Sequence, residues 1–281
     1  MSGTPKVVLI TGCSSGIGAE TAGYLAAQGH TVYATARRVE TLEPLVAAGC
    51  RALALDVTDE SSMHAAVQAV ESEHGAVGAL VNNAGYSQSG ALESISLDDI
   101  RRQFETNVFG LIRMCQLVLP GMRTAGAGRI VNIGSMGGKL TFPGGGVYHA
   151  TKYSVEALSD ALRFEVQGFG VRVVLIEPGL IVTEFAQAAV ASVSNIADGP
   201  YGEFNKAVAE RTTGAYEGPL RHPGGGPDAV AKVIRKAIES RRPRARYRVT
   251  PSASLAITQR RLTPDRVWDM AMRAQFPVPK P

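Results

Sequence analysis

Short, unbroken apolar runs alternate along this chain with longer stretches of helical spacing. The first run, Lys6 to Ile10, carries Val7, Val8, Leu9 and Ile10 in succession, the pattern of a strand buried on both faces. The turn Thr11-Gly12-Cys13-Ser14-Ser15-Gly16-Ile17-Gly18 comes next, and Ala19 to Gln28 then reads as a helix closed by Gly29. The alternation repeats. Thr31 to Ala36 reads as a strand, Val39 to Ala48 as a helix ended by Gly49, and Arg51 to Val57 as a third strand. The stretch from Thr58 or Asp59 to about His74 is a third helix, and Gly78 to Val81 a fourth strand. This rhythm predicts an α/β fold, a doubly wound parallel sheet with helices on both faces.

Past Asn82-Asn83-Ala84-Gly85, the stretch from Leu97 to about Thr124 keeps helical spacing, with Asn107 inside it. An Asn in mid-helix competes for backbone groups, so Asn107 marks a local break, a specific contact or an amide satisfied in the core. Arg129 to Gly134 is the fifth strand and runs into Ser135; Thr141 to Gly146 is a bend; Tyr148 to Gly168 is a helix with a broad apolar face. Val171 to Glu177 is the sixth strand, followed by Pro178-Gly179. From Glu184 to Gly226, apolar residues such as Phe185, Val190, Ile196 and Tyr216 mix with polar positions and a turn-rich break at Pro219 to Gly226. This segment reads as a mobile lid over a substrate. Pro227 to Arg241 resumes as helix, Arg244 to Val249 is a seventh strand, and Ser252 to Phe276 is weakly helical. With no repeat and no linker, residues 1–281 are expected to form a single domain, with 184–226 as its lid and 250–281 as a C-terminal extension.

Composition narrows the class. A chain of 281 residues that is 45% hydrophobic can bury a sizeable core. A net charge of +4 is too small for a nucleic-acid signature, and no apolar run is long enough for stable membrane insertion. The N-terminus shows no signal peptide, and Cys13, Cys50 and Cys115 have neither metal nor disulfide spacing, so a cytoplasmic protein without a metal is expected. Arg241, Arg242, Arg244, Arg246 and Arg248 form a basic run, either a solvated strand edge or a surface for an acidic membrane or partner.

Two stretches carry candidate chemistry. Strand, Gly-rich turn and helix together are the context of a dinucleotide loop, whose glycines let the backbone approach a pyrophosphate at the helix N-terminus. The spacing is Gly12-x-x-x-Gly16-x-Gly18. At the end of the second strand, where a carboxylate would take a ribose 2′-hydroxyl, stand Arg37 and Arg38. A guanidinium forks onto a 2′-phosphate, and Ser15 can add a hydroxyl, so NADP(H) is preferred, with NAD(H) possible. Asp56 either meets the adenine edge or caps the segment after it. The second stretch is Ser135 with Tyr148-x-x-x-Lys152. Four residues apart on a helix, Tyr148 and Lys152 share a face, and a neighbouring ammonium favours the phenolate, making Tyr148 a usable proton donor or acceptor. The hydroxyl of Ser135 can hold a substrate oxygen beside it.

The chain resembles the short-chain dehydrogenase/reductase family. The matches run in order from Thr11-Gly12-x-x-x-Gly16-Ile17-Gly18 through Asp56, Asn82-Asn83-Ala84-Gly85, Asn107, Ser135 and Tyr148-x-x-x-Lys152 to Pro178-Gly179. The tracts Leu9 to Gly18 and Val32 to Arg37 look like the branch holding 17-beta-hydroxysteroid and retinol dehydrogenases. The resemblance implies a seven-stranded Rossmann fold and an oxidoreductase acting on CH–OH groups. Tyr148 would be the acid/base, Lys152 would bind the nicotinamide ribose, Ser135 would orient the substrate oxygen, and Asn107 would hold a water linking Lys152 to solvent. Ser14, Ser15 and Ile17 belong to the dinucleotide loop, and Val57 comes after Asp56 at the adenine end. Asn83, Ala84 and Gly85 would line the ribose, Asn82 would fix the fourth strand, and Pro178, Gly179 and Thr183 would flank the nicotinamide. The family also implies a homodimer or homotetramer acting on a small-molecule alcohol or ketone. The apolar lid suggests a bulky, apolar substrate, while Gly144 to Gly146 before Tyr148 suggest a roomy or adaptable pocket. A non-catalytic NADP(H)-sensing regulator, or an epimerase or dehydratase on the same scaffold, are the alternative readings.

Overall fold

The computed structural model describes residues 6–194, 199–217 and 225–279. Seven strands, β1 (Val7–Ile10), β2 (Thr31–Ala36), β3 (Arg51–Ala54), β4 (Ala79–Asn82), β5 (Gly128–Ile133), β6 (Val171–Glu177) and β7 (Arg246–Arg248), form one sheet. Their order is β3-β2-β1-β4-β5-β6-β7, parallel throughout. The order reverses between β1 and β4, and at such a switch point a crevice opens beyond the carboxyl ends of the strands.

Side chains alternate across each strand, so one strand feeds two layers. Val8 and Ile10 of β1 pack with Ala22 and Leu25 of α1 (Gly16–Ala27) and Ile234 and Ile238 of α9 (Pro227–Glu239). Leu9 points the other way, into a layer with Met63 and Val67 of α3 (Glu60–His74), Met114 and Val118 of α5 (Gly110–Thr124), and Val155 of α6 (Gly146–Glu165). Both layers are apolar and fully buried, which is why the strands read as continuous hydrophobic runs. No helix among the described residues is long and apolar enough to cross a membrane.

Several boundaries differ from the sequence reading, each for a local reason. Helix α1 begins at Gly16, so the last two glycines of the loop already lie in its first turn. Strand β3 stops at Ala54 rather than Val57 because Asp56 turns the chain. Its Oδ1 accepts from the backbone N–H (2.9 Å) and hydroxyl (2.8 Å) of Thr58. The helix cap is Asp59, whose carboxylate accepts from the N–H of Ser61 and Ser62. The helix expected from Val39 becomes a 3-10 turn, Val39–Leu42, leading into α2 (Glu43–Ala47). The long helix around Asn107 is three pieces: α4 (Leu97–Phe104), a π-helical turn at Glu105–Phe109, and α5. The segment expected as a lid contains α7 (Phe185–Ser194) and α8 (Gly202–Glu217), and the C-terminal extension α10 (Pro251–Leu262) and α11 (Asp265–Arg273). Ile196 and the break from Pro219 to Gly224 lie outside the described residues.

The basic run at β7 is partly turned inward. Arg246 pairs with Asp160 and, at 3.1 Å, with Glu156; Arg248 lies 3.5 Å from Glu177. Lys139 closes on Glu156 from the other side at 2.7 Å. The carboxylate of Glu177 is fully buried, and neither of its oxygens, nor Oε1 of Glu156, has a hydrogen-bond partner among the described residues. Burial and the neighbouring Glu156 push Glu177 up to about 7. The folded chain therefore holds a proton that the unfolded chain loses near the ordinary carboxylate range of about 4.3. Stability from this group is complete below that range and is lost as pH rises through about 7. The melting temperature is expected to fall by a few °C as pH rises from about 5 to about 8, and Glu177→Gln to flatten that slope. Thermal scans of both proteins across that range check it; parallel curves would refute the assignment.

Candidate active site

A cavity of about 1400 Å³ opens at the carboxyl ends of the central strands. Ser14, Ser15, Gly16 and Ile17 line it at the start of α1, where free N–H groups and the helix dipole favour an anion. Gly12, also on the wall, adopts φ +72°, and a Cβ there would stand 2.9 Å from Ala84 Cα. Gly18 is not on the wall. It lies behind the loop, where a Cβ would run into Gly12 O and come within 2.5 Å of Asn83 Nδ2.

The two loops flanking the switch point are stitched together. Thr11 Oγ1 accepts from the N–H of Asn83 and of Ala84, both at 3.0 Å. Asn83 Nδ2 donates to Thr11 O and Gly12 O, both at 2.9 Å. Both amide hydrogens of Asn83 are thus spent on the Gly-rich loop, and Asn83, Ala84 and Gly85 border the cavity from there. Asn82 lies deeper and donates to Asn132 Oδ1 at 2.9 Å, bracing β4 on β5.

Arg37, exposed, stands on the cavity wall with Asp56 and Val57; Arg38 does not line it, and its carbonyl accepts from Thr41 Oγ1 at 2.7 Å. Pro178, Gly179 and Thr183 line the wall beyond β6, and Thr183 is the nearest neighbour a Cβ on Gly16 would meet, at 3.5 Å.

Ser135, Tyr148 and Lys152 share this cavity. Ser135 Oγ accepts from Gly137 N–H at 3.0 Å. Lys152 is buried, donates from Nζ to Ile133 O at 2.8 Å, and holds that nitrogen 5.7 Å from the centre of the Tyr148 ring. Burial pushes Lys152 down to about 8 and drives Tyr148 above the ordinary phenol range. The influence that lowers Tyr148 here is its hydrogen bond with Ser135, while Tyr216 raises it further.

Asn107 accounts for its place in the π-helical turn by specific contacts. Its Nδ2 donates to Tyr86 O at 2.9 Å and Thr151 Oγ1 at 3.1 Å, and its Oδ1 accepts from Tyr86 N–H at 3.1 Å. The side chain clamps the segment after β4 to the first turns of α6 and does not line the cavity.

The substrate side is built by residues the sequence reading did not single out as site residues. Phe185 of α7 meets the Tyr148 ring at 5.4 Å, and Val208 and Tyr216 of α8 line the same space. Gln275 and Phe276 return from beyond α11, Gln275 O accepting from Arg211 Nε at 3.0 Å and Phe276 packing on Phe204 at 6.3 Å. Only tertiary contact brings these groups together, so no local spacing announces them. Gly144 and Gly145 border the cavity of about 1400 Å³, yet the space at their own Cα atoms is filled. A Cβ on Gly144 would meet Val208 Cγ1 at 2.7 Å, and one on Gly145 would meet His149 Nε2 at 2.6 Å; only Gly146 faces open space. They are small because Val208 of α8 and the buried imidazole of His149 occupy the room.

A Gly-rich loop and a Ser, Tyr and Lys trio facing one crevice define enzymes that bind a nicotinamide dinucleotide and oxidise or reduce at a CH–OH carbon. The chain belongs to the short-chain dehydrogenase family, whose model matches residues 6–193. It is 44% identical over 181 residues to a 3-ketodihydrosphingosine reductase of Bacteroides thetaiotaomicron, covering 64% of this chain and 66% of that one. Among solved structures it is similar to a short-chain dehydrogenase from Streptomyces avermitilis, with TM-score 0.78, 35% identity and coverage of 96% and 99%. A serine dehydrogenase complexed with NADP+ matches with TM-score 0.75 and 31% identity, covering 87% of this chain and 94% of that one.

Proposed function

We propose that the chain is an NADP(H)-dependent oxidoreductase that exchanges a bulky, apolar ketone (steroid-, retinoid- or lipid-like) with its secondary alcohol. The carrying observation is that Ser135, Tyr148 and Lys152 share one cavity with the Gly-rich loop. The dinucleotide, when bound, donates or accepts the hydride. Ser14, Ser15, Gly16 and Ile17 would hold its pyrophosphate, Asp56 and Val57 the adenine end, Asn83 to Gly85 the ribose, and Pro178, Gly179 and Thr183 the nicotinamide end. Tyr148 gives a proton to the carbonyl oxygen, or takes one from the alcohol, with Ser135 donating a hydrogen bond to the same oxygen. Lys152, close to titrating near neutral pH, would bind the nicotinamide ribose and pass the replacement proton. With its amide hydrogens spent, Asn107 offers a relay water only its oxygens, on Oδ1 or the main chain. The apolar substrate class is supported by Phe142, Phe185, Val208, Tyr216 and Phe276 around the cavity, and by a relative named for reducing a keto group.

The cofactor preference rests on Arg37 at the cavity wall, and a relative complexed with NADP+ supports it. Losing a charge-assisted bond of about 1.5–3 kcal/mol to the 2′-phosphate raises KM for NADPH roughly 10- to 100-fold in Arg37→Ala and leaves KM for NADH unmoved. An unchanged ratio would sink the assignment. A panel of ketones and alcohols followed by NADPH absorbance tests the activity itself; no turnover with either cofactor ends the proposal. A homodimer or homotetramer belongs to the same reading, supported by the exposed rings of Phe109, Tyr153 and Phe164, and light scattering decides its size. A cytoplasmic location is supported by three free, buried cysteines.

A further inference from the structure

One buried side chain beside Tyr148 has no part in this proton and hydride chemistry. His149 is the next residue in α6 and is 8% exposed. Its Nδ1 lies 3.0 Å from Gly137 O, which can only accept, so Nδ1 carries the proton. Its Nε2 is left with a lone pair and accepts from the N–H of Phe142 at 3.4 Å. One tautomer satisfies both contacts. Burial also pushes the imidazole below the ordinary histidine range, against a smaller opposite effect of Gly137.

The backbone is shaped around this ring. A Cβ on Gly137 would stand 2.5 Å from Nδ1, and one on Gly145 2.6 Å from Nε2. The rings of Tyr148 and Phe142 flank it at 5.6 and 6.1 Å. The two contacts belong to different structures. Gly137 is in the turn whose N–H is held by Ser135 Oγ. Phe142 opens the loop to Gly145, against which Val208 of the lid rests.

We propose that His149 is a positioning residue, a strut that sets the spacing between the Ser135 turn and the Phe142–Gly145 wall and so ties turnover to substrate shape. The inference rests on the reading of Ser135 and Tyr148 as the pair that holds the substrate oxygen.

The two ends of the strut can be cut separately. Asn reaches the position of Nδ1 and can still donate to Gly137 O, but not that of Nε2. Gln reaches the position of Nε2 and can accept from Phe142, but loses the bond to Gly137. In His149→Asn, KM for a bulky ketone is expected to rise about tenfold with kcat changed less than about threefold. In His149→Gln the split reverses: kcat falls about tenfold and KM moves less than about threefold. Gly145→Ala leaves the histidine in place and pushes the ring from the wall side, at φ −101°, which alanine adopts freely. It is expected to repeat the KM pattern of His149→Asn. NADPH affinity, read by fluorescence, should stay constant in all three.

Identical kinetic losses in the Asn and Gln variants, wild-type kinetics in both, or a silent Gly145→Ala would overturn the proposal. If the His149 variants fail to fold, Gly145→Ala alone decides. Full turnover by Tyr148→Phe would instead remove the underlying reading. Wild-type kinetics in the His149 variants of an enzyme that Tyr148→Phe inactivates would remove only the strut.

Discussion

Tyr148→Phe is expected to lower kcat on the order of 10²- to 10⁴-fold while NADPH binds as before. The substitution removes one oxygen and keeps the ring, so the packing against Phe185 at 5.4 Å and His149 at 5.6 Å survives. The lost atom is the phenol hydroxyl of a residue that shares the cavity with both Ser135 and Lys152 at the switch point. Ser135 alone can still hold a substrate oxygen, its Oγ accepting from Gly137 N–H, but the substitution removes its hydrogen-bond partner Tyr148. The residual rate should come from orientation alone. Stopped-flow measurement of single-turnover NADPH oxidation, beside fluorescence titration of the cofactor, separates the chemical step from binding. Retained turnover would mean that another group moves the proton.

The second large effect is predicted at a residue that does not line the cavity. Gly18→Ala places a methyl against Gly12 O and within 2.5 Å of Asn83 Nδ2. Neither can retreat alone, because Asn83 Nδ2 donates to that same carbonyl and to Thr11 O. Overpacking of this kind costs about 1–3 kcal/mol, and here the strain is delivered to the dinucleotide loop. A fall in melting temperature of several °C and a loss of at least about tenfold in NADPH affinity are expected. Gly23 in the same helix provides the contrast. A Cβ there meets only Leu45 Cδ2, at an ordinary 3.7 Å, so Gly23→Ala should stabilise by about 0.5–1 kcal/mol through helix propensity. Calorimetry on the two variants checks the opposite signs; equal shifts would show that packing at Gly18 is not what matters.

The contrast between these two glycines also marks what was legible in the sequence. Strand and helix periods are local, and β1, β2 and β6 stand where the apolar runs put them. Asn107 was conspicuous because an amide is out of place in a helix, and the structure supplies both a break and a contact. The end of β3 was missed because Asp56, two residues past the last strand residue, turns the chain with its own side chain, which hydrophobic spacing does not register. Why the glycines of the wall are small was not legible, for a deeper reason. Gly144 and Gly145 answer to Val208 and to a ring four residues further on, and which neighbour fills a glycine's missing side chain is a tertiary fact. The segment holding Phe185, Val208 and Tyr216 was expected beside the substrate, but which of its residues face the cavity, and the return of Gln275 and Phe276 from beyond α11, are tertiary facts too.

The stitch between Thr11 and Asn83 bears on how fast and at what entropic cost a dinucleotide is taken up. Four hydrogen bonds of 2.9 to 3.0 Å fix the Gly-rich loop from within the fold. A loop already frozen loses little motion when a ligand arrives, so binding should show a small ordering entropy and a single fast association phase without a slower rearrangement. Loosening the stitch would slow capture through a protein whose folded core is otherwise unaltered.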